Sequence, residues 1–151
     1  MIKIICIGKL KENYLKDAEQ EYLKRLKKYT QIELIELPDS NIDDEKIALE
    51  KEKNQILKYI KPKEYLVTLE IEGNQLSSLA FADKIDKTLI TSSDITFLIG
   101  GSYGIHPSIK EMSSYKLSFS KMTFPHQLFR ILLLEQLFRS YKILNNEKYH
   151  K

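Results

Sequence analysis

Cysteine is nearly absent from this 151-residue chain, and no apolar run approaches the ~20 residues that a membrane-spanning helix needs. One cysteine cannot close an intrachain disulfide, so the fold must rest on a hydrophobic core. A single domain of this length builds one by burying about 68–70% of the surface its unfolded chain exposes. Cys6 lies in the apolar run Ile2 to Ile7, where a thiol packs as a small hydrophobe. The apolar stretch after Lys3 is too short for a signal peptide, and three histidines without ligand spacing supply no metal site. Neither the dinucleotide fingerprint G-x-G-x-x-G nor a G-K-[ST] phosphate loop occurs. Internal repeats, low-complexity tracts and linkers are missing too. These absences leave one metal-free domain, expected to be soluble, cytoplasmic and not bound to a membrane.

Charge is nearly balanced, with 24 Lys and Arg against 21 Asp and Glu, a net of +3. Its distribution is uneven. From Lys121 to Lys151, six cations (121, 130, 139, 142, 148 and 151) face only Glu135 and Glu147, so this segment alone carries +4. A basic surface of that kind attracts phosphates, and a solvated helix flank has the same composition.

Apolar periodicity divides the rest into alternating elements. Ile2 to Ile7, Ile32 to Leu37, Tyr65 to Ile71, Ile95 to Ile99 and 115–119 read as strands. Helices follow each: Tyr14 to Tyr29, about Asp43 to Ile60, a segment capped by Ser77 or Ser78 and carrying Leu79 to Leu89, a short one from Pro107, and a long final one. Gly73-Asn74 reads as a turn. Strand alternating with helix predicts an α/β domain with a mostly parallel sheet. The final helix begins at Pro125 in its first turn, carries apolar residues to Leu144 over most of its circumference, and ends near Tyr149-His150. Such girth asks for cover on more than one side, from a central position or a subunit interface. Arg130, Glu135, Gln136 and Arg139 within it need partners if buried, and Glu135 and Arg139 have the favourable acid-first spacing of four. In parallel sheets ligands bind at the carboxyl ends of strands, which singles out Leu69 to Gly73, Gly100 to Gly104 and Phe119 to Phe124. A glycine turn alone is equally consistent with a tight structural loop.

These pieces together resemble one family. Phe97-Leu98-Ile99-Gly100-Gly101-Ser102-Tyr103-Gly104, then Leu117-Ser118-Phe119-Ser120-Lys121-Met122-Thr123-Phe124-Pro125-His126-Gln127-Leu128, then Arg130, Leu134-Glu135-Gln136, Arg139 and Tyr149-His150-Lys151 resemble the bacterial large-subunit ribosomal RNA (pseudouridine-N3)-methyltransferases of the SPOUT class. Ile2-Lys3-Ile4 and Gly8-Lys9-Leu10-Lys11 extend the resemblance to the whole chain. It implies an α/β-knot fold, with a trefoil knot in the C-terminal part and a homodimer packed through the last helix. It also implies methyl transfer from S-adenosyl-L-methionine to N3 of a pseudouridine in 23S ribosomal RNA, on the assembled ribosome and without metal. By the same resemblance the cofactor pocket would be Leu69, Gly100, Phe119, Ser120, Lys121, Met122, Thr123 and Phe124. The catalytic set would be His150, Arg139, Tyr149 and Glu135, with His150 accepting a proton or orienting the base, Tyr149 stacking on a base, and Arg139 holding a phosphate or the cofactor carboxylate. Where many members have glycine and proline before the terminal Tyr-His, this chain has Asn145-Asn146-Glu147-Lys148, and Asn146 can take the left-handed conformation a glycine would supply. His106 and His126 read as structural or capping residues. Two other readings are a mononucleotide hydrolase using Gly100 to Gly104 for phosphate, which lacks a phosphate-loop lysine, and a non-catalytic ribosome-binding module of the same fold.

Overall fold

The computed structural model describes all 151 residues. Five strands, β1 (Ile2–Ile7), β2 (Ile32–Leu37), β3 (Tyr65–Gln75), β4 (Ile95–Ile99) and β5 (Tyr115–Ser118), alternate with five helices. These are α1 (Asn13–Leu26), α2 (Glu45–Leu57), α3 (Ser78–Thr91), α4 (Pro107–Met112) and α5 (His126–Leu144). The strands form one all-parallel sheet in the order β2-β1-β4-β3-β5. Both faces are covered, which is why β1 and β4 are apolar at nearly every position. Alternate residues go to opposite sides. Ile2, Ile4, Cys6, Phe97 and Leu117 join Leu26, Phe81, Leu133 and Phe138 under α1, α3 and α5, while Ile5, Ile7, Leu66 and Leu98 meet Ile56 and Ile109 under α2 and α4. Burial pushes the Cys6 thiol up to about 12, as expected of a core cysteine and not of a nucleophile.

Three sequence expectations change. Gly73-Asn74 is not a turn that ends β3. The strand runs to Gln75 with a register shift, so that Leu69 and Asn74 both pair with Leu117 of β5. Gly73 permits the close approach this needs, since a Cβ there would lie 2.8 Å from the Lys116 carbonyl. Pro125 is the N-cap of α5 and lies outside its first turn, because its ψ of 133° is extended. The helix closes at Leu144, short of Tyr149-His150. Asn146 adopts φ 55° just beyond the Asn145 cap, its N–H reaches the Ile143 carbonyl, and the Glu147 N–H reaches that of Lys142. This paired closure is the Schellman arrangement, with asparagine in the glycine position.

The girth of α5 is met largely within one chain. Leu133, Leu134 and Leu137 are fully buried among the sheet, α1 and α3, so Leu133 is a core residue and does not belong to a subunit seam. A stripe containing Leu128, Leu132, Glu135, Arg139 and Ile143 stays at least partly open, as do His126, Gln127, Phe129, Gln136, Lys142 and Leu144 beside it. Arg130, 1% exposed, is satisfied from across the fold. It contacts Glu19 of α1 at 3.1 Å and Glu36 of β2 at 2.5 Å, and donates to the Gly8 carbonyl at 3.0 Å. Its Nε alone has no partner.

Candidate functional site

The carboxyl ends of β4 and β5, together with the register shift within β3, open into a cavity of about 310 Å³, at the small end of the ~300–1,000 Å³ range of ligand sites. Three segments build it. The first is the glycine turn after β4, where the Gly104 N–H donates to the Gly101 carbonyl at 3.0 Å and Gly104 takes φ 80°. Gly100 is required by the loop itself. A Cβ there would meet the Gly104 carbonyl oxygen at 2.5 Å and Ile105 Cγ1 at 2.9 Å, so a larger residue would force the turn open before filling the cavity. The second segment lies inside β3, at its register shift against β5, and contributes Leu69, Glu70, Ile71 and Glu72. The third is the stretch from Leu117 to Phe124, with Phe129 of α5 packed behind Phe119, the rings tilted by 49° with centroids 4.8 Å apart.

Seven of the eight cofactor residues expected from the sequence line this cavity: Leu69, Gly100, Phe119, Ser120, Met122, Thr123 and Phe124. Lys121 does not; it is exposed beside the turn in which the Ser120 hydroxyl accepts from the Met122 N–H at 2.9 Å. The walls are mixed. Isoleucine, leucine and phenylalanine side chains face a polar set comprising Ser102, Ser118, Ser120, Thr123, Glu70, Glu72, Lys110 and His126.

Glu135, Arg139, Tyr149 and His150, the four expected catalytic residues, meet in one cluster on the open stripe of α5. Arg139 Nε donates to Glu135 Oε1 at 2.8 Å, the Tyr149 hydroxyl donates to Glu135 Oε2 at 2.7 Å, and the guanidinium lies 4.7 Å from the centroid of the Tyr149 ring. Arg139 Nη1 and His150 Nδ1 are 3.2 Å apart. A guanidinium only donates, so Nδ1 accepts, and Nε2 of a neutral imidazole then carries the proton. Burial, and then the neighbouring Glu135 carboxylate, push the Tyr149 hydroxyl up to about 12. None of the four lines the cavity of its own chain.

Several lining residues were not read as site residues from the sequence. Glu70 lies within Leu69 to Gly73, the stretch singled out from the sequence, but was not among the expected cofactor residues; the structure places it inside β3 at the register shift. His126 was read as structural, yet it lines the cavity and lies against Gly8, whose φ is 97°. Lys110 on α4 and Phe129 on α5 gave no local signal, since only the folded chain carries them to the strand ends. His106 caps α4, its Nδ1 accepting from the Ser108 N–H at 3.1 Å, in keeping with the capping role read from the sequence.

The family model described as "Predicted SPOUT methyltransferase" matches residues 1–150. A putative ribosomal RNA large subunit methyltransferase H from Methanococcus maripaludis is 50% identical, the match covering 99% of both chains. Ribosomal RNA large subunit methyltransferase H from Caldicellulosiruptor saccharolyticus is 46% identical over the full length of both, and its Clostridium botulinum counterpart is 46% identical over 99% of each. Among solved structures, a probable methylase family protein from Haemophilus influenzae superposes with a TM-score of 0.59 at 16% identity, covering 99% of this chain and 70% of that one. That likeness speaks for the fold alone. With an all-parallel sheet, a cavity at its carboxyl edge and a family match running from the first residue to the last but one, the chain belongs to the SPOUT methyltransferase family.

Proposed function

We propose that this chain is an S-adenosylmethionine-dependent methyltransferase acting on N3 of a pseudouridine in 23S ribosomal RNA, in the cytoplasm and on the assembled ribosome. The carrying observation is the cavity at the strand ends, in a chain whose family is shown and whose full-length relatives are named as large-subunit RNA methyltransferases. Its walls fit the cofactor. Leu69, Ile99, Leu117, Phe119 and Phe129 offer an apolar slot for an adenine ring, the glycine turn exposes backbone groups to its edge, and Glu70 supplies negative charge suited to a sulfonium. When bound, S-adenosylmethionine supplies an electrophilic methyl group, and the protein's task is to align donor and acceptor. The loop from Leu117 to Phe124, braced by Phe129, would fix the donor. In this reading that loop belongs to the trefoil knot of the family.

The cluster at the end of α5 would handle the acceptor. With Nδ1 engaged by Arg139, His150 presents an N–H at Nε2, a group suited to holding a pseudouridine carbonyl. Orientation is therefore its role in this reading, and accepting the imide proton would require Arg139 to let go. Arg139 is placed to hold a backbone phosphate, Tyr149 to stack on a base, and Glu135 to fix them both. Because the cluster does not line its own chain's cavity, it would serve the cavity of a partner in a homodimer formed along the open stripe of α5. Mass spectrometry of 23S RNA from a deletion strain tests the reading. The expected result is the loss of one methyl from one pseudouridine, restored by the wild-type gene; an unchanged modification profile would contradict it. Single-turnover methylation of ribosomes by His150→Ala should fall by about 10–100-fold with cofactor affinity unchanged, the pattern of an interaction made mainly in the transition state.

A further inference from the structure

Glu70 is an unusual residue to find in a small-molecule cavity. Its side chain is only 8% exposed, and it stands where β3 leaves its first register with β5. The carboxylate is held at one oxygen, where the Thr68 hydroxyl donates to Oε2 at 2.7 Å, while Lys110 Nζ lies at ion-pair distance, 3.7 Å from Oε1. Thr68 is fully buried and also bonds Ser113 at 2.8 Å, so the anchor beneath Glu70 is rigid. A second lining carboxylate, Glu72, is exposed and its field is screened by solvent. Lys110, with 35% of its side chain exposed, offsets Glu70 only in part at this distance. The cavity therefore holds one pre-oriented, poorly solvated negative charge in mixed walls that also carry Lys110 and the exposed Glu72.

We propose that Glu70 sets the charge preference of this cavity, favouring a cofactor with a cationic sulfonium over the demethylated product, whose sulfur is neutral, and that Lys110 limits the preference. The inference rests on the methyltransferase reading. The two ligands differ by one methyl group and one positive charge at the sulfur. Apolar contacts to the shared adenosine hold both alike, so discrimination must come from fixed charge. A buried carboxylate does this without reorganising, since Thr68 already holds it in place. The consequence is directional turnover: once the methyl group and its charge have left, the same wall holds the product less tightly. A purely structural Glu70, acting as a strut between β3 and α4, would affect all ligands of the cavity equally.

Calorimetry at fixed ionic strength with S-adenosylmethionine, S-adenosylhomocysteine and sinefungin, which carries an amine in place of the methylated sulfonium, separates these cases. Wild type should bind the two cationic ligands more tightly than the neutral thioether. Glu70→Gln keeps the shape and should weaken both cationic ligands about tenfold while shifting the thioether by less than about twofold. Lys110→Met should move the ratio in the opposite direction. Thioether binding by each variant reports that the cavity is intact. Equal weakening of all three ligands by Glu70→Gln, or an unchanged ratio in both variants, would overturn the charge assignment while leaving the methyltransferase reading in place. Failure of wild type to bind any of the three would sink that reading, and this inference with it.

Discussion

The two ends of the same sheet treat charge in opposite ways. At the amino end, Lys3 and Glu64 form a buried pair at 2.7 Å, Glu64 also accepts from the Lys61 N–H at 2.8 Å and from the Thr96 hydroxyl, and the N-terminal ammonium donates to the Ser93 carbonyl at 3.1 Å. The polar groups there hold one another. At the carboxyl end, Glu70, Ser120, Thr123 and His126 border a cavity, while the charge behind it, Arg130, ties β1, β2, α1 and α5 together. At one end the charges are spent on one another, and at the other a carboxylate faces a cavity. In a parallel sheet this division follows from direction, since every strand delivers its exposed backbone and its loop to the same edge.

The sharpest way to break the comparison is to remove the brace behind the open end. Arg130→Ala would leave the Glu19 carboxylate, already pushed up by burial, facing an apolar helix. A loss of about 3–5 kcal/mol in urea unfolding is expected, as for other buried pairs broken on one side. Next in size, Gly100→Val should weaken S-adenosylmethionine binding at least about 100-fold, roughly 2.7 kcal/mol. Because the new Cβ strikes the Gly104 carbonyl, a lowered melting temperature should accompany it; full stability with lost binding would mean the cavity was filled without disturbing the turn.

At the closed end, Glu64→Gln should cost about 1–3 kcal/mol, with no effect on ligand affinity. Its pH dependence carries a sign. Burial opposes ionisation, but Lys3, Thr96 and the Lys61 N–H together hold the Glu64 carboxyl below its ordinary value. A depressed carboxyl contributes stability above its unfolded pKa and loses it as pH falls through the folded one. The gap between wild type and Glu64→Gln should thus be full above about pH 4.5 and shrink as the solution is acidified further. The smallest effect belongs to Tyr149→Phe, which removes one hydrogen bond to Glu135 and should cost about 1 kcal/mol, leaving cofactor binding untouched.

The strands were legible because parallel strands buried on both faces are written as apolar runs, as in Ile2 to Ile7 and Ile95 to Ile99. The strand ends likewise pointed to Leu69, the glycine turn and Phe119 to Phe124. What stayed hidden depends on contacts between distant residues. Gly73-Asn74 has turn chemistry, and only the approach of Lys116 from β5 reveals why glycine is needed inside a strand. Arg130 finds Glu19 and Glu36 from 111 and 94 positions away, a pairing no local pattern encodes. The apolar girth of α5 left a central position and a subunit interface both open, and only the packing of α1 and α3 over Leu133 and Leu137 shows that much of it is met centrally. Conversely, the pairing of Glu135 with Arg139 was read from a spacing of four, and the structure adds Tyr149 and His150 to it.

The proposed cofactor site can be tested directly, because the chain has only three methionines and just one of them, Met122, lines the cavity. Methyl NMR of protein labelled at its methionine methyl groups, titrated with S-adenosylmethionine, should shift the Met122 signal with saturation while Met1 and Met112 stay in place. A shift confined to Met112, or no shift at saturating ligand, would contradict a cofactor site at the carboxyl end of the sheet.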